Sequence, residues 1–107
     1  MPYPAAQSVI YIGDLVIDRD RKIAVSNGAT VHLEGKEYWL LEYLSQHLGE
    51  PASAQRLTER CYGGIDTPER GIMEVVATKL QRKIGYAGGR TTIVLIPGKG
   101  YLLHTRD

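Results

Sequence analysis

Three spacings of apolar positions divide the chain. Over residues 9–33 they come at alternate positions in short runs: Leu15 and Ile17, Ile23 and Val25, then Val31 and Leu33. Alternation of this kind predicts strands with one buried face. The polar run Asp18, Arg19, Asp20, Arg21 separates the first two pairs, and Ser26, Asn27, Gly28, Ala29 separates the next two. Asn-Gly is the strongest short hairpin signal, because both residues of that turn need positive φ. Roughly four antiparallel strands are expected.

The period then lengthens. Over residues 34–48, Tyr38, Leu41, Leu44 and Leu48 recur at helical spacing, and Leu40 widens the stripe. Glu34 and Glu37 read as the helix start, and Gly49 ends it. Ser53 can cap a second, shorter helix with Ala54, Leu57 and Cys61 on one face, stopped by Tyr62, Gly63 and Gly64. A third helix over about 69–84 has Thr67 as its N-cap and Pro68 at its first position. Met73, Ala77, Leu80 and Ile84 form its buried stripe, Gly85 closes it, and Thr78, Lys79 and Arg82 fall on other faces. Two apolar runs then pair as a hairpin, residues 91–96 and 101–104, joined by Pro97, Gly98, Lys99 and Gly100. Residues 1–8, with two prolines, read as an arm or linker end, and residues 9–107 as one domain.

Charge sharpens this layout. Residues 78–107 hold Lys79, Arg82, Lys83, Arg90, Lys99 and Arg106 against Asp107 alone, a net +5, while the rest of the chain carries −4 and the total is only +1. A basic surface confined to one end points to a polyanion. Other classes recede. No apolar run reaches the ~20 residues of a membrane span, and the first residues lack the basic start and apolar stretch of a secretory signal. Cys61 is the single cysteine, which leaves a reducing cytoplasm as the default. His32, His47 and His104 lack ligand spacing, so neither a metal nor another cofactor is expected. No nucleophile sits beside a base, so the chain does not read as an enzyme.

Sheet, three helices and hairpin predict an α+β fold: a winged helix-turn-helix with an N-terminal four-stranded antiparallel sheet and a C-terminal β-hairpin wing. In that variant the third helix enters the major groove and the wing reaches the adjacent minor groove or backbone. Lys79, Arg82 and Lys83 are then candidates for base or phosphate contact, or else charges that favour the helix dipole. Thr78 and Val75 can meet base edges such as a thymine methyl, or simply fill surface. Val76 reads as packing. Lys99, between two glycines, sits at a wing tip, with Arg90, Thr91 and Thr92 at its base. Arg56 is placed for a phosphate or for solvent.

The ordered set of motifs resembles the effector domain of OmpR/PhoB-type response regulators over about residues 10–104. The pieces are Val31, His32, Leu33, Glu34, Gly35, Lys36, Glu37 and Tyr38 with Leu40 and Leu41; Leu57 to Tyr62 and Gly63; Glu74 and Val75 through Lys79, Leu80, Gln81, Arg82 and Lys83; and Gly98, Lys99, Gly100 and Tyr101. The run Tyr62, Gly63, Gly64, Ile65, Asp66, Thr67, Pro68, Glu69 looks most like the alphaproteobacterial cell-cycle master regulator branch. The resemblance implies sequence-specific binding of double-stranded DNA for transcription regulation, usually as a dimer on direct repeats, here A/T-rich. It implies a phosphate contact for Tyr62, which can equally pack between helices. It also makes residues 63–68, with Ile65, Asp66 and Thr67, a docking loop for RNA polymerase or a tandem neighbour.

Departures from the family pattern are equally specific. Gly71 stands where Arg or Lys is usual, Pro97 where Arg is frequent and Gln81 where Arg is common, and Val76 and Thr78 replace larger polar or basic residues. Fewer phosphate anchors imply weak binding by a monomer, or reliance on a partner. The receiver domain of the family is absent from these 107 residues. Trp39 stands where the family is usually polar, as a partner anchor or tucked under the arm against Tyr3 or Tyr11. The rival reading is a winged helix that has given up DNA and serves as a protein-interaction module.

Overall fold

The computed structural model describes residues 8–63 and 71–106. Four strands come first: β1 (Val9–Ile12), β2 (Leu15–Asp18), β3 (Ile23–Ser26) and β4 (Ala29–Val31), antiparallel and adjacent in chain order. Helices α1 (Gly35–Gln46), α2 (Ala54–Tyr62) and α3 (Ile72–Tyr86) follow, and β5 (Thr91–Ile96) with β6 (Gly100–Thr105) forms a separate hairpin. The core lies between the inner face of the sheet, α1, α3 and the hairpin: Leu15, Ile17, Leu40, Leu41, Leu44, Leu57, Met73, Leu80, Ile84 and Ile93 are all fully buried.

The Asn27–Gly28 turn has both residues at positive φ, 53° and 81°, as a two-residue hairpin requires. It sets Ser26 opposite Ala29 and Ala24 opposite Val31. Leu15 faces Ser26 and Ile17 faces Ala24 across the next pair, so Ala24 and Ser26 turn inward in β3. Ile23, expected inside, is 37% exposed, and Val25 is half-buried. Alternation predicts a strand but not which parity meets the core; the turn register decides that.

Helix α1 opens on Glu34, whose N–H donates to Glu37 Oε1 at 3.0 Å, the return arm of a capping box. The helix ends at Gln46, two residues before the expected stop. His47 N–H tightens the last turn onto the Leu44 carbonyl, Gly49 takes φ 80°, and Leu48 is left 51% exposed. Ser53 Oγ accepts the Arg56 N–H at 3.1 Å and Gly63 closes α2 at φ 64°. Of the expected α2 stripe only Leu57 is fully buried; Ala54 and Cys61 are half-buried. Burial raises the Cys61 thiol pKa against the opposing charge of Lys36, which disfavours the thiolate.

Helix α3 begins at Ile72. Gly71 holds φ 86°, outside helical backbone, just ahead of it; the expected start at residue 69, with Thr67 and Pro68, lies outside the described residues. At its other end α3 passes through Gly85 to Tyr86, and Gly88 at φ 75° follows the close. Val76 joins Met73, Ala77, Leu80 and Ile84 inside.

Candidate nucleic-acid interface

Opposite its buried stripe, α3 presents Glu74, Val75, Thr78, Lys79 and Arg82, which line one shallow groove. Positions i, i+1, i+4, i+5 and i+8 share a face because the helix turns every ~3.6 residues. Val75 is 50% exposed. Thr78 is exposed, and its Oγ1 donates to the Glu74 carbonyl at 2.9 Å. The four candidates on this helix other than Lys83, namely Val75, Thr78, Lys79 and Arg82, therefore meet on one surface. Lys79 also borders a second groove, against Glu34, Gly35, Lys36 and Glu37 at the start of α1.

Lys83 is placed differently from the expected phosphate contact. Its Nζ lies 2.6 Å from Glu37 Oε1, with the lysine side chain 35% exposed and the glutamate 3%. Burial pushes the Glu37 carboxyl up, but the Lys83 bond, the Glu34 N–H and the charges of Lys83 and Lys79 outweigh it, so its pKa falls below the usual range. Glu37 Oε2 is buried without a hydrogen-bond partner. The ion pair ties α1 to α3 and takes one positive charge off the basic face.

The wing projects from this helix. Gly98 takes φ 77°, the Lys99 N–H closes the turn onto the Ile96 carbonyl at 2.9 Å, and Lys99 is exposed at the tip. Gln81 Nε2 donates to the Ile93 carbonyl at 2.9 Å, fixing β5 against α3. Tyr101 and Ala52 exchange both backbone hydrogen bonds at 2.8 Å, pinning β6 to the start of α2. At the wing base Arg90 and Thr92 remain exposed or half-exposed, whereas Thr91 is buried: its Oγ1 reaches the Ile12 carbonyl and Thr105 Oγ1, each at 2.8 Å. Thr91 is thus a structural residue and not a contact.

Asp14, in the β1–β2 turn, was invisible as a site residue, because its partners lie 76 and 77 positions downstream. Its carboxylate accepts the Arg90 N–H at 2.7 Å and the Thr91 N–H at 3.1 Å. The Arg90 bond leads the effects that hold its pKa below the usual carboxylate value. Asn27 likewise donates from Nδ2 to the Ala87 carbonyl at 2.9 Å, so two sheet turns grip the junction of α3 and wing. A folded pKa below the unfolded one contributes stability that is present above the unfolded value and lost as pH falls through the folded one. Asp14→Ala should lower the melting temperature at neutral pH, speed amide exchange at Arg90 and Thr91, and remove this part of the acid sensitivity. Unchanged exchange at both amides would contradict the assignment.

Around α2, Arg56 is exposed. Tyr62 is half-buried against the core, with Lys36 Nζ 5.4 Å from its ring centroid. Trp39 is half-buried too: it stacks on Tyr43 at 5.3 Å, and Tyr43 on His47 at 4.4 Å, while Tyr11 stays 74% exposed. Trp39, expected either as an exposed partner anchor or as a ring under the arm, is part of an aromatic ladder along α1. Ile65, Asp66 and Thr67 lie outside the described residues. Among the described residues no His, Cys, Asp and Glu group could hold a metal, and no helix is long and apolar enough to cross a membrane.

Known proteins agree with this geometry. The family model "Transcriptional regulatory protein, C terminal" matches residues 28–103. The chain is 41% identical over 103 residues to the cell cycle response regulator CtrA of Brucella anthropi, covering 95% of this chain and 44% of that protein, and 41% identical to the Brucella ovis protein of the same name. The chain thus spans about half the length of these curated relatives. Among solved structures, the DNA-binding domain of E. coli CpxR superposes with a TM-score of 0.71 at 27% identity, over 92% of this chain and 98% of that one. The Thermotoga maritima OmpR/PhoB homologue DrrB shares the fold, with a TM-score of 0.75 at 23% identity, over 94% of this chain and 45% of that one. By the family match and the relatives' identity, the chain belongs to the C-terminal, OmpR/PhoB-type domain family of transcriptional regulatory proteins.

Proposed function

We propose that this domain binds double-stranded DNA in a sequence-specific way and regulates transcription, as the effector part of a response regulator. The observation that carries the reading is the outward face of α3, where Val75, Thr78, Lys79 and Arg82 stand together beside a wing tipped by Lys99. Membership of the family and a relative solved as a DNA-binding domain support it. In this mechanism α3 lies in the major groove. Lys79 donates to guanine O6 and N7, while Val75 and the Thr78 methyl meet thymine methyls. Arg82, Arg56, Tyr62, Arg90, Thr92 and Lys99 hold sugar and phosphate, which sets register without reading sequence. Lys83, tied to Glu37, shapes the helix position instead.

Copies pair on direct repeats, residues 63–68 meet RNA polymerase or the neighbouring copy, and the protein works in the cytoplasm. The same loop and Trp39 are where a protein partner would be sought if DNA binding failed.

The test is selection from random duplexes at low salt, followed by sequencing, with Lys79→Ala run beside the parent. The parent should enrich a motif, and the variant should lose about 5- to 100-fold at one position. Parent affinity should fall steeply with salt, in proportion to the phosphates contacted. Flat, weak, unselective binding by both proteins would sink the proposal.

A further inference from the structure

The wing of this chain carries little charge. Lys99 is its one tip cation, and the residues leading into the turn, Leu95, Ile96 and Pro97, are apolar. Strand β5 alternates: Thr91 and Ile93 face inward and are buried, and Leu95, next on that face, is 56% exposed. Its position is well defined. Gln81 of α3 holds the Ile93 carbonyl, two strand residues, ~6.6 Å, before Leu95. Its cross-strand partner Tyr101 is pinned to Ala52. A leucine with over half its surface in water is thus held on a fixed strand, one residue before β5 ends at the wing turn.

We infer that Leu95, with Pro97 beside it, is a DNA contact of the wing, packing against sugars and base edges in the minor groove next to the α3 site. The inference rests on the DNA-binding reading above. Apolar side chains are used this way, pressed against or between base steps. The chemistry also specifies a preference. In the minor groove a G·C pair presents the guanine N2 amino donor and an A·T pair does not. Covering that donor with a leucine leaves it without an acceptor, and an unpaired buried donor is costly. Leu95 therefore selects A·T pairs at the positions beneath it, through an exclusion that involves no charge.

The test is the same random-duplex selection run on the parent, Leu95→Thr, Leu95→Met and Lys99→Ala. Threonine suits an exposed strand position, so the hairpin is retained. The parent motif should carry an A·T-biased flank on the wing side. Leu95→Thr should keep the α3 motif but lose the flank preference by about fivefold or more, with the salt slope unchanged. Leu95→Met, still apolar, should keep the flank. Lys99→Ala should lower the salt slope by about one. A motif with no A·T flank, or a flank that persists in Leu95→Thr, overturns this inference and leaves the DNA-binding reading standing. No motif in the parent overturns both.

Discussion

Gly100→Ala should unseat the wing and cost the domain about 3–5 kcal/mol. Gly100 holds φ 131° and is buried. A methyl there would overlap the Ala52 carbonyl group and stand 2.6 Å from the Ser53 nitrogen. Neither neighbour can withdraw, because Ala52 and Tyr101 are joined by two backbone hydrogen bonds. Two lost hydrogen bonds at about 1 kcal/mol each and backbone strain of about 1–3 kcal/mol make the total. That is a large share of the ~5–15 kcal/mol typical of whole domains. Urea unfolding should show a lower midpoint with an unchanged slope, and amide exchange at Ala52 and Tyr101 should speed up. Gly98→Ala is the control: its φ is 77° but nothing stands within 4 Å, so it should cost only about 1 kcal/mol. Equal losses for the two variants would mean that the Ala52 clash is not what matters.

The contrast between those glycines shows where sequence reading stops. The hairpin was legible over residues 91–96 because an apolar run is a local pattern and the turn residues are distinctive. That Gly100, unlike Gly98, lies against backbone was not, since Ala52 lies 48 positions upstream. The same holds at the helix ends. Leu48 matches the α1 period, yet the helix stops at Gln46 and leaves it in solvent. Gly71, noted in the sequence only for the charge it lacks, turns out to open α3 through its backbone.

The candidate site divides along the same line. Val75, Thr78, Lys79 and Arg82 come together because 3.6-residue periodicity places them together, whatever the rest of the fold does. Lys83 looked equivalent to Arg82 in sequence. Its role is set by Glu37, 46 residues earlier, and no local pattern announces that pairing. Asp14 and Gln81 are the converse: the first is unremarkable in sequence and the second stands out only for the arginine it replaces, yet they hold the wing to the sheet and to α3. Local period predicts which residues face out, while long-range pairing decides which of them stay free to bind.

That pairing leads to the second large effect, expected for Lys83→Ala. Removing one partner of a buried ion pair costs about 3–5 kcal/mol, because a charge is left without compensation. Glu37 is almost fully enclosed, but Lys83 is about one-third exposed, so solvent already screens part of the attraction and about 2–4 kcal/mol is the expected loss at neutral pH. The pH dependence separates this from lost packing. In the parent the Glu37 pKa is lowered; its stabilisation is present above the unfolded value of about 4.5 and is lost as pH falls through the folded value. In Lys83→Ala burial is the leading influence left on the carboxylate, so its pKa rises and protonation relieves the penalty as pH falls. The gap between parent and variant should therefore be widest near neutrality and close in acid. Glu37→Gln in the Lys83→Ala background should recover most of the loss, since a neutral amide needs no cation. A stability gap that stays constant from neutral pH into acid would show that Lys83 contributes through its methylenes and not through its charge.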